Sequence, residues 1–462
     1  MPHPSLTLFG DRAAVRAIRP EPEMIRPGPP LWEQVAAGFI LCMLTGALIG
    51  PVLAPDQGET PLLRLFWLPV YALVAGLMVL RFKTVIKAWP AILAWACIVG
   101  LAFASKYWSI DPSTTSRRVI AMVISGAFAM YLGSTFHGPH LPRLLARCAL
   151  IMGVLSVFMV FAVPSIGVHH DINAGMWRGI WYEKNQMGIV MAAGGTAAAA
   201  WMASEDRLRP VPLLTILVCI GLVLATRSKT SLLCVMLGVG MVAALWTLKR
   251  GGPALAVAAV WMGVVGGAVG WWLWTYESAE ILAALGKDPS LTGRTGIWDA
   301  LFTKIAERPW TGYGYNAFWG KESEPALWVR YQTGWLVPSA HNGWIDLLVQ
   351  LGWPGAVLVG TIMAASYLLT LLRLPTAGLR EGFWGIAYLS VYILLTLSES
   401  VLVSAQNMPW TLCLAILARA VYPEPRTERA TLAPSRRRAY QTGPRIASDC
   451  TDGRPLLYPR RR

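Results

Sequence analysis

The sequence predicts an all-α, polytopic membrane protein with about twelve transmembrane helices. Hydrophobic residues make up 55% of the 462 residues and charged residues only 14%, whereas a soluble domain carries about a quarter of its residues as charged groups. Apolar runs long enough to cross about 30 Å of hydrocarbon recur along the chain. The charged residues are concentrated at the termini and between these runs.

The predicted architecture is a transmembrane domain, residues 34–422, between two polar tails. Residues 1–33 form a proline-rich cytoplasmic tail that does not resemble a cleavable secretory signal. Residues 423–462 form a basic cytoplasmic tail that we expect to be disordered. The predicted spans are 36–54, 65–80, 88–105, 119–135, 144–166, 187–203, 211–226, 231–248, 253–274, 353–372, 383–402 and 408–421.

The distribution of Lys and Arg predicts that both termini are cytoplasmic, because cytoplasmic loops carry an excess of these residues. The predicted cytoplasmic connections contain Arg81, Lys83, Lys87, Arg143, Arg147, Lys249, Arg250, Arg373 and Arg380. We interpret the arginine-rich tail as a segment that enforces this topology and contacts the anionic lipid bilayer, rather than nucleic acid.

Four connections on the predicted outer face carry cations, against the usual bias. Their cations are Arg117, Arg118, Arg178, Lys184, Arg227, Lys229, Arg294 and Arg308. Guanidinium groups offer planar paired donors that match phosphate oxygens, so we predict a phosphate or diphosphate site. The alternative is that individual cations reach lipid headgroups or pair with nearby acids.

The longest outer connection, residues 275–342, has predicted structure of its own. The run TGRTGIWDALFTKIAERP predicts an amphipathic helix with Thr292 or Gly293 near its N-cap and Pro309 at its end. Its apolar face would consist of Ile297, Trp298, Leu301 and Ile305. The following GYGYNAF predicts a glycine-rich turn whose aromatic rings either pack against the helix or stack on sugar rings.

His341 is the candidate general base, because it lies at the predicted entry of a helix capped by Ser339 or Asn342. Asp346, on the same helical segment, is the second candidate for this role. Glu399 is an ionisable residue inside a predicted span and is expected to pair with an arginine. The acidic residues of the outer face show no paired-carboxylate signature for a divalent metal.

Five motifs occur in an order that resembles the O-antigen ligase and polymerase superfamily, and most closely the exopolysaccharide polymerases of the succinoglycan type. They are WSIDP, RGIWYEKNQMG, TRSKTS, GRTGIW with RPWTGYGYNAF, and SAHNGWIDLLVQLGWPG. The resemblance covers roughly residues 90–405. Each motif is weakly specific alone, and their shared order carries the resemblance.

The resemblance implies a C-type glycosyltransferase-like fold in the bacterial inner membrane, with a periplasmic active site and neither metal nor cofactor. Such proteins transfer a glycan from undecaprenyl diphosphate to an acceptor hydroxyl. Carried over by motif, His341 is the catalytic base and Arg178, Arg227 and Arg294 bind the diphosphate. We place Lys184, Asn185 and Arg308 in the same substrate-binding group, with Asp346 and Glu399 supporting them.

Three functions remain open at the level of sequence. The first is polymerisation of exopolysaccharide repeat units, with a chain-length regulator and export machinery as partners. The second is ligation of O-antigen to lipid A-core, which differs in the acceptor. The third is transport or flipping of a lipid-linked oligosaccharide, although residues 36–226 and 231–421 show no repeat of the kind that transporters often carry.

Overall fold

The computed structural model describes residues 27–47, 61–170, 173–205, 208–251 and 294–423. Within these ranges the regular structure is helical, apart from one isolated antiparallel bridge between Val168 and Trp177. In chain order the main helices are α1 Leu31–Leu44, α2 Pro61–Leu80, α3 Phe82–Tyr107, α4 Pro112–Thr135, α5 His140–Ala162, α6 Lys184–Glu205, α7 Pro210–Thr226, α8 Lys229–Gly251, α9 Arg294–Glu307, α10 Glu324–Thr333, α11 Gly343–Ala377, α12 Trp384–Thr396 and α13 Met408–Val421.

Six of the described helices are long and apolar enough to cross a membrane, and five shorter apolar helices accompany them. These helices overlap the predicted spans other than 253–274, which lies outside the described residues. Their length and composition support the class predicted from the sequence, a multi-pass helical membrane protein.

The predicted span 383–402 is wrong at its C-terminal end, because the helix stops at Thr396. Glu399 therefore lies in a loop after α12 rather than inside a span. The last turn tightens there, as the amides of Leu397 and Ser398 donate to carbonyls three residues back. Three polar residues in succession, Ser398, Glu399 and Ser400, follow this turn and do not continue the helix.

Helix α6 lies at the centre of the bundle and is the most buried of the six long helices. Its sequence AAGGTAAAA is built from small residues, which allow neighbouring helices to approach closely. A Cβ added at Gly194 would collide with the side chain of Ala149 on α5. This packing fixes α6, and with it the first turn that carries Lys184 and Asn185.

The polar segment from Arg294 to Asn342 has a hydrophobic core of its own. Helix α9 buries Ile297 and Leu301 as its amphipathic pattern predicted, and these side chains cluster with Phe318, Val329 and Ile345. The N-cap prediction at Thr292 or Gly293 lies outside the described residues. The sequence reading did not predict α10, which contributes Ala326 and Val329 to this core.

Helix α11 begins at Gly343 and kinks at Gly352. Gly352 has a φ of 63°, a conformation that glycine adopts at little cost. A Cβ at this position would lie 2.6 Å from the carbonyl oxygen of Pro309. The amide of Trp353 donates to the same oxygen at 2.8 Å. The kink therefore joins the end of α9 to the start of the apolar part of α11.

Candidate functional site

Three of the predicted site residues meet around the carboxylate of a fourth, Glu399. The amide Nδ2 of Asn185 donates to Glu399 Oε1 at 3.0 Å. Arg294 Nη2 lies 3.7 Å from the same oxygen, and His341 Nδ1 lies 3.8 Å from Oε2. We call Asn185, Arg294, His341 and Glu399 the Glu399 cluster. It joins α6, α9, the start of α11 and the loop after α12.

Arg294 enters the cluster at the first turn of α9. Its Nη1 donates to the carbonyl oxygen of Ser398 at 2.9 Å, beside its ion pair with Glu399. The buried face of α9 anchors the helix. The side chain of Arg294 is 22% exposed. A guanidinium has five N–H donors, so these two contacts leave donors for a ligand.

His341 lies immediately before the cap of α11 and has a φ of 48°. Asn342 Oδ1 accepts hydrogen bonds from the amides of Trp344 and Ile345 at 2.9 and 3.2 Å. Of the two caps predicted, Asn342 is the one observed. Asn342 Nδ2 also donates to the carbonyl of Leu397 at 3.3 Å. These contacts fix the backbone of Asn342 and thereby the position of His341 relative to Glu399.

The imidazole of His341 is buried at its Nδ1 edge and partly exposed elsewhere. Its Nδ1 atom is buried and has no hydrogen-bond partner among the residues that the structure describes. Glu399 is the carboxylate nearest to that nitrogen, at a distance just beyond hydrogen-bond length. The side chain as a whole is 26% exposed, so its remaining edge can reach a ligand.

Asp346 is buried one turn into α11 and is occupied by contacts within the protein. It accepts a hydrogen bond from Trp319 Nε1 at 2.7 Å and from the amide of Ala340 at 3.3 Å. Trp298 Nε1 donates to the carbonyl of Ala340 at 2.9 Å. Asp346 and Trp298 therefore fix the residue that precedes His341.

Arg178 and Lys184 make contacts within the loop that precedes α6. Arg178 Nε donates to the carbonyl of Ile166 at 2.8 Å, and its Nη2 donates to that of Ser165 at 3.0 Å. Lys184 Nζ lies 2.8 Å from the sulfur of Met176. Arg178 therefore holds the loop together, and Lys184 ties it to the start of α6, next to Asn185.

Arg227 and Arg308 lie outside the Glu399 cluster. Arg227 ends α7 with a φ of 51°, and its side chain is exposed. The end of α7 and the start of α8 pack close to α6, because a Cβ at Gly188 would collide with Ser231 and contact Thr226. Arg308 stacks on the ring of Tyr313 at 4.9 Å. Helix α9 separates it from Arg294 by about 20 Å at the usual helical rise.

The aromatic side chains of GYGYNAF are buried, which favours packing over stacking on sugar rings. Tyr313, Tyr315 and Phe318 are 4%, 1% and 0% exposed. Burial raises the pKa of Tyr313 and that of Tyr315 above the usual range. Both hydroxyls are therefore neutral hydrogen-bond donors, as in the bond from Tyr315 to the carbonyl of Val403 at 2.7 Å.

Sequence reasoning missed the backbone atoms that complete the site. The carbonyls of Leu397 and Ser398 accept hydrogen bonds from Asn342 and Arg294, and no sequence motif marks a backbone acceptor. Within the described ranges, no group of three or more His, Cys, Asp and Glu side chains could hold a metal ion.

Residues 214–360 match the protein family described as O-Antigen ligase. The matched segment runs from α7 into α11 and contains Arg227, Arg294 and His341. Asn185 and Glu399 lie outside it. The predicted resemblance to the O-antigen ligase and polymerase superfamily is confirmed by this match and by the relatives below.

Two curated relatives are similar to this chain. The exopolysaccharide production protein ExoQ of Rhizobium meliloti is 24% identical over 328 residues, which cover 66% of this chain and 72% of that protein. The O-antigen ligase of Pseudomonas aeruginosa is 29% identical over 170 residues, or 37% of each chain.

Among solved structures, a chain from "Structural coordination of polymerization and crosslinking by a peptidoglycan synthase complex" aligns with a TM-score of 0.38 and 17% identity. The alignment covers 72% of this chain and 97% of that chain. A TM-score of this size does not establish a common fold.

Proposed function

We propose that this protein polymerises exopolysaccharide repeat units by transferring a glycan from undecaprenyl diphosphate to an acceptor sugar hydroxyl. The reaction would take place at the periplasmic face of the bacterial inner membrane, with both termini cytoplasmic. The observation that carries the proposal is the meeting of His341 and Arg294 on Glu399. Both residues fall in the segment that matches the O-antigen ligase family.

His341 is the proposed general base. With the Nδ1 proton directed at Glu399, the Nε2 lone pair is left for the acceptor. The acceptor oxygen attacks the anomeric carbon and forms the new glycosidic bond, while its proton passes to Nε2. The bond between the anomeric carbon and the phosphate oxygen breaks, and its electron pair leaves with the diphosphate. General base catalysis contributes roughly 10²- to 10⁴-fold to such a step.

Glu399 orients the imidazole and stabilises the imidazolium that forms during transfer. Its Oε1 is held by Asn185, which leaves Oε2 facing His341. Nδ1 lies 3.8 Å from Oε2, and we expect this contact to shorten in the complex with substrate.

Arg294 and Arg227 are the proposed diphosphate ligands. Arg294 retains free donors in the Glu399 cluster, and Arg227 is exposed at a turn that packs near α6. They would stabilise the charge that develops on the leaving diphosphate. Arg178 and Lys184 would support this site through the loop they fix. Arg308 lies far from the cluster, and we assign it no part in diphosphate binding.

The proposed chemistry needs neither a general acid nor a bound metal, because the diphosphate leaves as a stable anion. The undecaprenyl chain would remain in the bilayer between helices, which places the reaction at the membrane surface. A chain-length regulator and export machinery are the proposed protein partners of this polymerase.

Reconstitution tests the proposal directly. The purified protein in liposomes is given one defined lipid-linked repeat unit, and the products are separated by length. We expect glycans of two or more repeats together with free undecaprenyl diphosphate. Movement of the intact lipid-linked unit across the bilayer, without new glycosidic bonds, would support the flippase alternative instead.

O-antigen ligation is the second candidate, because 170 residues of the chain are 29% identical to the Pseudomonas aeruginosa ligase. A deletion strain distinguishes the two enzymes by their acceptors. Loss of secreted polysaccharide with an unchanged lipopolysaccharide ladder is expected for the polymerase. Loss of the ladder with normal secreted polysaccharide would make the protein a ligase.

A further inference from the structure

The loop between α12 and α13, residues 397–407, carries Glu399 and contains two strained positions. We call it the Glu399 loop. Val403 and Gln406 have φ values of 51° and 54°, in a region that residues other than glycine rarely adopt. The conformation is most unfavourable for the β-branched Val403. Strain of this kind persists only where the surroundings hold the chain in place, and it is concentrated at functional sites.

Tyrosine hydroxyls hold the strained part of this loop. Tyr315, which is 1% exposed, donates to the carbonyl oxygen of Val403 at 2.7 Å. Tyr392 donates to the carbonyl oxygen of Val401 at 3.0 Å. Gln406 Nε2 donates to the hydroxyl oxygen of Tyr71 at 2.7 Å. Of these contacts, the one from Tyr315 acts on the residue with the greatest strain.

Contacts inside the loop make it stiff between Val403 and Glu399. The amide of Val401 donates to the carbonyl of Glu399 at 2.9 Å. Ser404 Oγ donates to the carbonyl of Ser400 at 3.2 Å. A shift of Val403 would therefore be passed along four residues to the carboxylate that faces His341.

Tyr315 is in turn fixed by the last turn of α3 and the first turn of α4. Its amide donates to Ser105 Oγ at 3.0 Å, and its carbonyl accepts a hydrogen bond from Thr115 Oγ1 at 3.0 Å. The neighbouring Gly314 has a φ of 101° and packs against Ser109 so closely that a Cβ would not fit. Residues 105–115, which include the WSIDP motif, thus support the GYGYN motif about 200 residues further along the chain.

We infer that Tyr315 is a positioning residue whose hydroxyl holds Val403 in its strained conformation and thereby places Glu399 against His341 and Arg294. The inference rests on the proposed function, because it assigns Tyr315 to the geometry of that reaction. It gives the GYGYN motif a role beyond packing, and one that does not require its rings to touch sugar.

The test compares Tyr315→Phe with Tyr388→Phe in the reconstituted full-length protein. Tyr388 is equally buried and donates to the carbonyl of Pro409 at 3.1 Å, outside the Glu399 loop. Each variant loses one buried hydroxyl, so similar changes in thermal unfolding are expected. We expect kcat to fall on the order of 10- to 100-fold in Tyr315→Phe alone, with KM unchanged, because small misplacements of catalytic groups cost this much.

A second comparison uses Val403→Gly, because glycine adopts this φ without strain. Tyr315→Phe should reduce kcat by a smaller factor when it is added to Val403→Gly than when it is added to the wild-type protein. Equal ratios in both backgrounds would show that the hydroxyl does not act through Val403, and would overturn the inference.

Thr115→Val provides a milder variant if Tyr315→Phe fails to accumulate in the membrane. It removes the hydrogen bond to the Tyr315 carbonyl and should lower kcat without changing KM.

The inference would be overturned if kcat were unchanged in Tyr315→Phe and Thr115→Val, or if Tyr388→Phe lost as much kcat as Tyr315→Phe. If His341→Ala is inactive in the same assay, the proposed function survives that outcome. Activity in His341→Ala would instead refute the proposed base.

Discussion

Glu381 and Glu399 lie beyond opposite ends of α12, and their carboxylates are held in different ways. Glu381 Oε1 lies 2.8 Å from Arg419 Nε and 3.7 Å from Arg373 Nη2. Arg373 also donates to the carbonyls of Arg419 and Ala420, at the end of α13. At Glu399, by contrast, Arg294 Nη2 and His341 Nδ1 lie 3.7 and 3.8 Å from the carboxylate oxygens.

The two ends of α12 therefore illustrate a structural and a functional use of the same residue types. Around Glu381 the arginines are bound to a carboxylate and to helix-end carbonyls, a set of contacts that stabilises the fold. Around Glu399, Asn185 alone among the described residues is within hydrogen-bond distance of the carboxylate. Arg294 is held by the carbonyl of Ser398, but neither Arg294 nor His341 is within hydrogen-bond distance of Glu399, so a substrate can change both contacts with that carboxylate. The following predictions test this contrast.

The largest difference is expected between Glu399→Gln and Glu381→Gln. Loss of the charge facing His341 should lower kcat by roughly two to four powers of ten, as for an acid that orients a catalytic histidine. Glu381→Gln breaks a largely buried pair and should cost about 3 kcal/mol of stability, with near-normal kcat per folded molecule. Transfer assays and thermal unfolding measure the two effects. Equal kcat in both variants would contradict the proposed difference between a functional Glu399 and a structural Glu381.

Arg294→Lys and Arg419→Lys extend the comparison to the basic partners. An ammonium cannot reproduce the planar paired donors of a guanidinium. We expect Arg294→Lys to reduce kcat by on the order of 10- to 100-fold. Arg419→Lys should affect the unfolding temperature and leave transfer nearly intact. Wild-type polymer from Arg294→Lys would make that arginine structural.

Arg178→Lys should have a smaller effect on transfer than Arg294→Lys. Its guanidinium donates to carbonyls of the loop before α6, so the change should mainly cost stability. Loss of a charged hydrogen bond of this kind costs about 1.5–3 kcal/mol. Unfolding temperature and kcat of the purified variant are the measurements. A loss of kcat as large as that of Arg294→Lys, at unchanged stability, would place Arg178 on the diphosphate.

The smallest expected effect is that of a chelator. The proposed reaction uses guanidinium groups where many glycosyl transfers use a divalent ion, so transfer should continue in excess EDTA. Polymer length and yield in the reconstituted assay are the readouts. Loss of transfer that added Mg²⁺ or Mn²⁺ restores would show that a metal takes part.

Much of the helical pattern could be predicted from the sequence, because long apolar runs and amphipathic spacing are local signals. The period of Ile297, Leu301 and Ile305 predicted the buried face of α9. Asn342 was one of two predicted caps of α11, because its side chain can accept hydrogen bonds from the first amides of a helix. Helix α10 was missed, since its burial depends on contacts with α9 and α11 that are remote in sequence.

The site was predictable in its members but not in its arrangement. Arg294, His341 and Asn185 could be chosen by residue type and motif, and Glu399 by its charge in an apolar region. Their meeting depends on a loop whose course no local pattern specifies, since Val403 and Gln406 adopt unfavourable φ values. The distance between Arg308 and the cluster follows from the length of α9, which residue type alone does not reveal.

The most direct test of the central claim is transfer by His341→Ala in liposomes with a defined lipid-linked repeat unit, beside His170→Ala. His170 lies on an exposed loop and contacts the carbonyl of Pro164, so it controls for loss of a histidine. We expect His341→Ala to reach normal abundance, to remain folded and to form no polymer, while His170→Ala polymerises normally. Polymer formation by His341→Ala at the wild-type rate would contradict the account.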